Sequence, residues 1–220
     1  MPFHAVIFDC DGVLVDSEKL GLRSLQQALN EAGVERSLES LTRFSGRSHR
    51  ETLAELESES DVPLLARGIA KRMNECYFRL VEKEKLYPCI GIPQLLSWLS
   101  ASKIPFTLAS SGPRSKVLFS LRSAGLTWAF PRFICGDDAA LAKPAPDLYL
   151  AAATLVGVDP TECLAVEDAP NGVRSARAAG MHVVAVTTTY EASALAEANF
   201  VVDSLSLLPQ YFTDSQTSVA

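Results

Sequence analysis

The chain has no CxxC pair, no cluster of lysine and arginine, and no apolar stretch long enough to cross a bilayer. Each absence closes a class of function. The five cysteines, Cys10, Cys76, Cys89, Cys135 and Cys163, are odd in number and lack metal-site spacing. That argues against a disulfide framework and against a zinc site. They read instead as small buried hydrophobes in a reducing compartment. The 20 basic residues are scattered and outnumbered by 26 acidic ones, for a net charge of −6. Nothing in that distribution suits a nucleic-acid or membrane surface. The residues from Met1 to Phe8 lack the charged start and apolar core of a secretion signal, so the expected location is the cytoplasm. No internal repeat or low-complexity tract is present, and the polar tail from Thr213 onward is expected to fray.

What is present is ample apolar material: 48% of the 220 residues, enough for one large domain or one domain with a small insert. Short continuous apolar runs recur at 5–8, 105–109, 132–135, 163–166, 182–186 and 200–202. Runs of this length suit strands buried on both faces of a parallel sheet. Helical patterns alternate with them. Val117, Leu121 and Ala124 share a face and precede Gly125; Leu148, Ala152 and Leu155 precede Gly157; Val173, Ala176 and Ala179 precede Gly180. Each glycine stands where a left-handed C-terminal cap is required, and Pro113 and Pro170 stand where a first helical turn tolerates proline. The alternation predicts an α/β fold with a doubly wound parallel sheet.

Residues 17–86 break that rhythm, with helical periods and no strand pattern. Leu22, Leu25, Leu29 and Ala32 form one stripe; Leu65, Ile69, Met73, Cys76 and Leu80 form another. Both read as helix packing. The expected organisation is a core of residues 1–16 and 87–220 with an all-helical cap of residues 17–86 inserted after the first strand.

The candidate chemistry sits at strand ends, where α/β sheets bind ligands. Asp9 and Asp11 follow the first strand, and carboxylates at i and i+2 of an extended chain point to the same side. Gly12 then permits a sharp turn. Ser110 and Ser111 lie between a strand and a helix start, where a hydroxyl and free N–H groups suit a phosphate oxygen. Lys143 precedes Pro144, which favours an extended backbone and a projecting side chain. Glu167 and Asp168 end another strand just before a helix. If the strands are neighbours, Asp9, Asp11, Glu167 and Asp168 cluster at one sheet edge. Four carboxylates do not all remain ionised there without a cation. Lys143 offsets one charge, and a hard divalent ion such as Mg²⁺ offsets the rest. No His or Cys cluster competes for a softer metal. The constellation points to phosphoryl transfer through a carboxylate nucleophile, with a small phosphorylated metabolite as partner.

The segments FDCDGVLVDSE (8–18), LASSGPR (108–114), AKPAPDLY (142–149) and VEDAPNGVRSARAAGM (166–181) resemble, in order, the four motifs of the haloacid dehalogenase superfamily. The resemblance covers essentially the whole chain and implies a Rossmann-like core. It implies Asp9 as nucleophile and Asp11 as general acid/base, with Ser110 and Lys143 holding phosphate. It also implies Asp168 as Mg²⁺ ligand, Glu167 in support, and the backbone carbonyl of Asp11 on the metal. The insert resembles that superfamily's helical cap, closing over substrate.

Within that resemblance the expected activity is hydrolysis of a small phosphorylated metabolite, most simply a sugar phosphate. The alternative is a β-phosphoglucomutase-like phosphomutase. Mutases of this kind carry a cap lysine where Ser45 stands, an arginine where His49 stands and a histidine where Gly21 stands, and these departures weaken phosphate gripping in the cap. Gly46, Arg47, His49 and Arg50 are the candidate substrate-selecting residues of the cap. Dehalogenation has no use for Asp11 or for Mg²⁺, and phosphonate cleavage replaces that aspartate. The presence of every expected catalytic residue disfavours a binding module that has lost its chemistry. Substrate identity and oligomeric state are not legible in the sequence.

Overall fold

The computed structural model describes residues 3–60 and 62–213, and the remainder of the polar tail lies outside them. After the first strand, β1 (Ala5–Phe8), come five helices: α1 (Glu18–Glu31), α2 (Leu38–Leu41), α3 (His49–Ser60), α4 (Ile69–Glu84) and α5 (Ile92–Ala101). The chain then alternates: β2 (Phe106–Leu108), α6 (Arg114–Ser123), α7 (Asp147–Val156), β3 (Cys163–Glu167), α8 (Pro170–Ala178), β4 (His182–Val186), β5 (Phe200–Val202) and a terminal turn of helix, α9 (Gln210–Thr213).

The strands form one parallel sheet in the order β2-β1-β3-β4-β5. Its two faces follow from the period of two along each strand. Val6 and Phe8 on β1, Leu164 and Val166 on β3, and Val184 and Val186 on β4 pack against Ile92, Leu95 and Leu96 of α5 and Val117 and Leu121 of α6. Ala5, Ile7, Ala165, Val183 and Ala185 pack against Leu148, Tyr149 and Ala152 of α7 and Val173 and Ala176 of α8. Three of those five strand residues on the second face are alanine. Helices therefore cover both faces, as expected for a doubly wound sheet.

The helical insertion has its own core, built from Leu25, Ala28 and Leu29 of α1, Leu41 of α2, Leu53 and Leu56 of α3, and Ile69 and Met73 of α4, with Phe44 and Leu64 between helices. The base of the insertion packs differently. Leu20, Tyr77, Leu80, Val81 and Leu86 join the apolar layer on the first face of the sheet. The two chain crossings lie side by side, with Asp16 N–H bonded to the Tyr87 carbonyl at 3.1 Å and Cys89 N–H to the Leu14 carbonyl at 3.0 Å.

Three local expectations need correction. The 132–135 run is not a strand: Ile134 makes a single bridge to Ala109, and the chain then tightens into a 3₁₀ turn at Gly136–Asp138. Phe133 and Cys135 are nonetheless buried, which explains the apolar run. Leu65 is 41% exposed and precedes α4; the buried residue of that turn is Leu64. Pro113 is the residue before α6, with extended backbone, and does not lie in its first turn. The three helix-stopping glycines do take positive φ, 71° at Gly125, 73° at Gly157 and 84° at Gly180.

Candidate active site

The strand order reverses at β1, since the chain leaves it for β2 on one side and returns to β3 on the other. Phe8 pairs with Leu108 and with Val166, so the carboxyl ends of all three strands are level. A cavity of about 310 Å³ opens at that point. It is lined from the sheet by Asp9, Asp11, Ser110, Ser111, Lys143, Glu167 and Asp168, and from the insertion by Gly46, Arg47, His49 and Arg50. Every residue predicted for the site thus reaches one cavity, though they do not play equivalent parts in it.

Asp9, Glu167 and Asp168 each offer a carboxylate oxygen within 4.8 Å of the others, and all three are buried or nearly so. Lys143 Nζ lies between two of them, 2.5 Å from Asp9 Oδ1 and 2.6 Å from Glu167 Oε1. The Tyr149 hydroxyl donates to the same Glu167 oxygen at 2.7 Å. The other Glu167 oxygen accepts from the Asp168 N–H at 3.1 Å. The Thr189 hydroxyl donates to Asp168 Oδ2. Gly12, at φ 78°, makes this packing possible, because a Cβ there would overlap the Asp168 carboxylate.

The charge balance inside the cluster is acidic. Burial pushes the Asp9 carboxyl up to about 7, although Lys143 pulls it down, and Glu167 and Asp11 add repulsion. Burial, then Glu167 and Asp9, hold the Asp168 carboxyl well above the carboxylate range. Burial alone would make Lys143 a weaker base, but Asp9 and Glu167 keep it firmly protonated.

Asp11 is set apart from this trio. Its Oδ1 accepts from the Ser17 hydroxyl at 2.5 Å, and Lys116 Nζ lies 2.9 Å from both Oδ1 and Oδ2. Burial works against ionisation of Asp11, but Lys116 and Ser17 outweigh it and hold the carboxyl below its ordinary value. The Asp11 carboxylate was expected to cluster with the other three acids; it belongs instead to a separate pair with Lys116, and the expected role of its backbone carbonyl is unaffected. Ser17 precedes α1 yet makes no side-chain cap, since its hydroxyl is spent on Asp11. Ser110 is buried, and its oxygen accepts from the Gly112 N–H at 3.1 Å, curling the loop before α6.

On the insertion side, Arg47 pairs with Glu55 at 2.8 Å and lies over the Phe44 ring at 5.3 Å. Arg50 is exposed and has no side-chain partner among the described residues. His49 faces Lys116 and Asp11; burial, then Lys116, push its imidazole down to about 4, so it is neutral near pH 7. Gly46 rests on Ala169, and the Tyr190 hydroxyl bonds to the Ser45 carbonyl at 2.6 Å. Those two contacts seat the insertion on the loops after β3 and β4.

Sequence reasoning missed Lys116, Tyr149, Thr189 and Tyr190. Thr189 carried a usable signal, since it follows an apolar strand just as Asp9 and Glu167 do. Tyr149 sat within an already noted segment, six residues after Lys143. Lys116 and Tyr190 carried none, since neither stands at a strand end or beside a proline, and each meets its partner only through the fold.

Residues 6–186 match the family of haloacid dehalogenase-like hydrolases. The chain belongs to that family. It is 32% identical over 208 residues to hexitol phosphatase A of Escherichia coli (strain K12), covering 90% of this chain and 90% of that protein. It is also 32% identical over 200 residues to β-phosphoglucomutase of Bacillus subtilis (strain 168), covering 83% and 82%. A hydrolase from Pseudomonas syringae has the same fold, with TM-score 0.85 at 27% identity over 97% of this chain and 99% of its own. One match is partial. The chain spans 19% of the length of SUPPRESSOR OF QUENCHING 1, a chloroplastic protein of Arabidopsis thaliana, at 36% identity over 199 residues. No described helix is long and apolar enough to cross a membrane.

Proposed function

We propose that this chain is a Mg²⁺-dependent phosphatase acting on a small phosphorylated metabolite, of the sugar-phosphate class, through an aspartyl-phosphate on Asp9. The observation that carries the reading is the buried oxygen trio of Asp9, Glu167 and Asp168 at the floor of the cavity, with one lysine beside it. The donor set is all oxygen, and mutual repulsion raises Asp9 and Asp168, so a hard divalent cation fits. Asp9 and Asp168 would hold it, Glu167 would support it, and the Asp11 carbonyl would complete the protein ligands. A bound cation would supply charge neutralisation for the incoming phosphate.

The steps on the chain's own groups then follow. An Asp9 oxygen attacks phosphorus, forming the acyl-phosphate bond as the bond to the substrate oxygen breaks. Asp11, having taken the proton of an incoming phosphate monoanion, passes it to that leaving oxygen. Water next attacks phosphorus, Asp11 takes the water's proton, and the bond to Asp9 breaks to restore the carboxylate. Ser110, Ser111 and Lys143 grip the non-transferring phosphate oxygens. Residues 17–86 act as a cap hinged at the paired crossings near Ser17 and Tyr87, and Gly46, Arg47, His49 and Arg50 present its selecting surface. The cavity volume lies at the small end of the range for ligand sites, which supports a small metabolite.

A mutase must grip a second phosphate from the cap. Arg47 is paired with Glu55, His49 is neutral, and Ser45 and Gly21 carry no charge, which leaves Arg50 as the one unpaired cation that the cap's described residues bring to the cavity and favours hydrolysis. The test is phosphate release from a panel of sugar phosphates, with and without Mg²⁺, and with Asp9→Asn as control. Release by Asp9→Asn equal to wild type would sink the assignment; sugar-phosphate isomers accumulating without free phosphate would favour the mutase.

A further inference from the structure

Lys116 lies in the first turn of α6, on the core side of the cavity, and its ammonium meets both oxygens of Asp11 at 2.9 Å. The pair is well enclosed, with side-chain exposures of 12% and 28%. Tyr77 of α4 lies beneath the ammonium, its ring centroid 5.0 Å away, and the Tyr77 hydroxyl bonds Ser120 one turn further along α6 at 2.9 Å. The lysine is therefore fixed from two helices. An enclosed ion pair of this kind gives little net stability over an apolar pair of similar volume. Its geometry has a clearer consequence. Oδ1 of Asp11 already has two donors, Ser17 and Lys116, whereas Oδ2 has Lys116 alone. Oδ2 is the oxygen with room for another partner, and both Asp9 and Asp11 line the same cavity.

We infer that Lys116 is a positioning residue for the reaction: it orients Asp11 so that Oδ2 meets the oxygen leaving phosphorus. The inference rests on the aspartyl-phosphate reading, with Asp11 as proton donor. Lys116 also lines the cavity, but its ammonium is taken up by Asp11, through which it acts.

The leaving group provides the test. p-Nitrophenolate departs without a proton, whereas the more basic phenolate departs readily only when it receives one. Because kcat/KM reports the chemistry through the phosphorylation step, the two esters separate proton donation from everything else. Lys116→Met should lower kcat/KM for phenyl phosphate on the order of 10²-fold, the scale of a misplaced general acid, and that for p-nitrophenyl phosphate several-fold at most. Lys116→Arg should recover most of the loss. In an Asp11→Asn background, adding Lys116→Met should cost little further, since residues that act as a unit are not additive. Lys116→Gln repeats the comparison if the methionine variant does not fold. Equal losses on both esters, or a full loss persisting in the Asp11→Asn background, would overturn the inference. That failure is distinct from failure of the aspartyl-phosphate reading, which would appear as activity surviving in Asp9→Asn.

Discussion

The sheet edge and the helical insertion line the same cavity but handle charge differently. At the edge, Lys143, Glu167 and Asp168 are exposed by 6%, 1% and 3%, and each has partners on other elements. On the insertion, Arg47 is part-exposed in a pair with Glu55, and Arg50 is exposed. Buried charges are costly unless held on all sides, so the edge is rigid by necessity. Exposed pairs contribute roughly 0–1 kcal/mol and are easily remade. Chemistry needs the first arrangement, and substrate selection tolerates the second. The apolar layers repeat the contrast: α3 packs only within the insertion's own core, while α4 divides between that core and the sheet.

The hardest blow to the comparison comes from Asp9→Asn. It should cut turnover by on the order of 10²-fold or more, as for other essential groups, while the thermal midpoint holds or rises. A rise is reasonable because one of three crowded carboxylates loses its charge. Residual activity above a few per cent would show that the rigid edge does not carry the chemistry.

Lys143→Met and Arg47→Met compare the two kinds of charge directly. Removing Lys143 leaves Glu167 buried with less compensation, and breaking a buried pair costs about 3–5 kcal/mol. Removing Arg47 should cost less than about 1 kcal/mol, the scale of an exposed pair. Urea unfolding in the presence of a chelator measures both. Similar costs would erase the distinction.

Mg²⁺ sharpens the contrast further. Added to chelated protein at a hundred times its dissociation constant, it should stabilise the fold by about 2.7 kcal/mol, and Asp168→Ala should lose most of that response. At one fixed Mg²⁺ concentration the gain should depend on pH. Without metal, the folded Asp9 carboxyl titrates near 7 against an ordinary 3.8, so the folded state holds a proton that the unfolded chain has released. That contribution to stability is complete below pH 3.8 and is lost as pH rises through 7. The metal competes with the same proton, so its effect on the melting midpoint should be larger at pH 8 than at pH 5. An equal gain at both would break the link between repulsion and metal binding.

The insertion has a pH signature of its own. His49 titrates near 4 when folded and 6.5 ordinarily, so below pH 6.5 the unfolded chain takes up the proton first. Stability should fall as pH drops from 6.5 to about 4, and His49→Gln should flatten that part of the wild-type profile. Identical pH profiles for the two proteins would place His49 outside the enclosed part of the cavity.

Much of this was legible before any coordinates. Five of six apolar runs are strands; Asp9, Ser110, Glu167 and Asp168 meet at the switch point as their strand-end positions implied, and Lys143 joins them from the loop before α7. The misses share a cause. The 132–135 run has strand composition but only one bridge to β2, so burial without pairing imitated a strand. Leu65 fitted the helical period by chance, while the turn buried Leu64 instead.

The sequence by itself determined which residues form elements and which end them, because those choices rest on local periodicity, turn-forming glycines and strand-end carboxylates. Only the tertiary structure decided how the acids divide. Asp9 joined Glu167 and Asp168 because β1 and β3 are adjacent. Asp11, two residues later, went to Lys116 on α6. Two carboxylates so close in sequence share the same local signals. What separates them is the nearest cation in space, Lys143 for Asp9 and Lys116 for Asp11, and only the packing of α6 against the sheet brings Lys116 there.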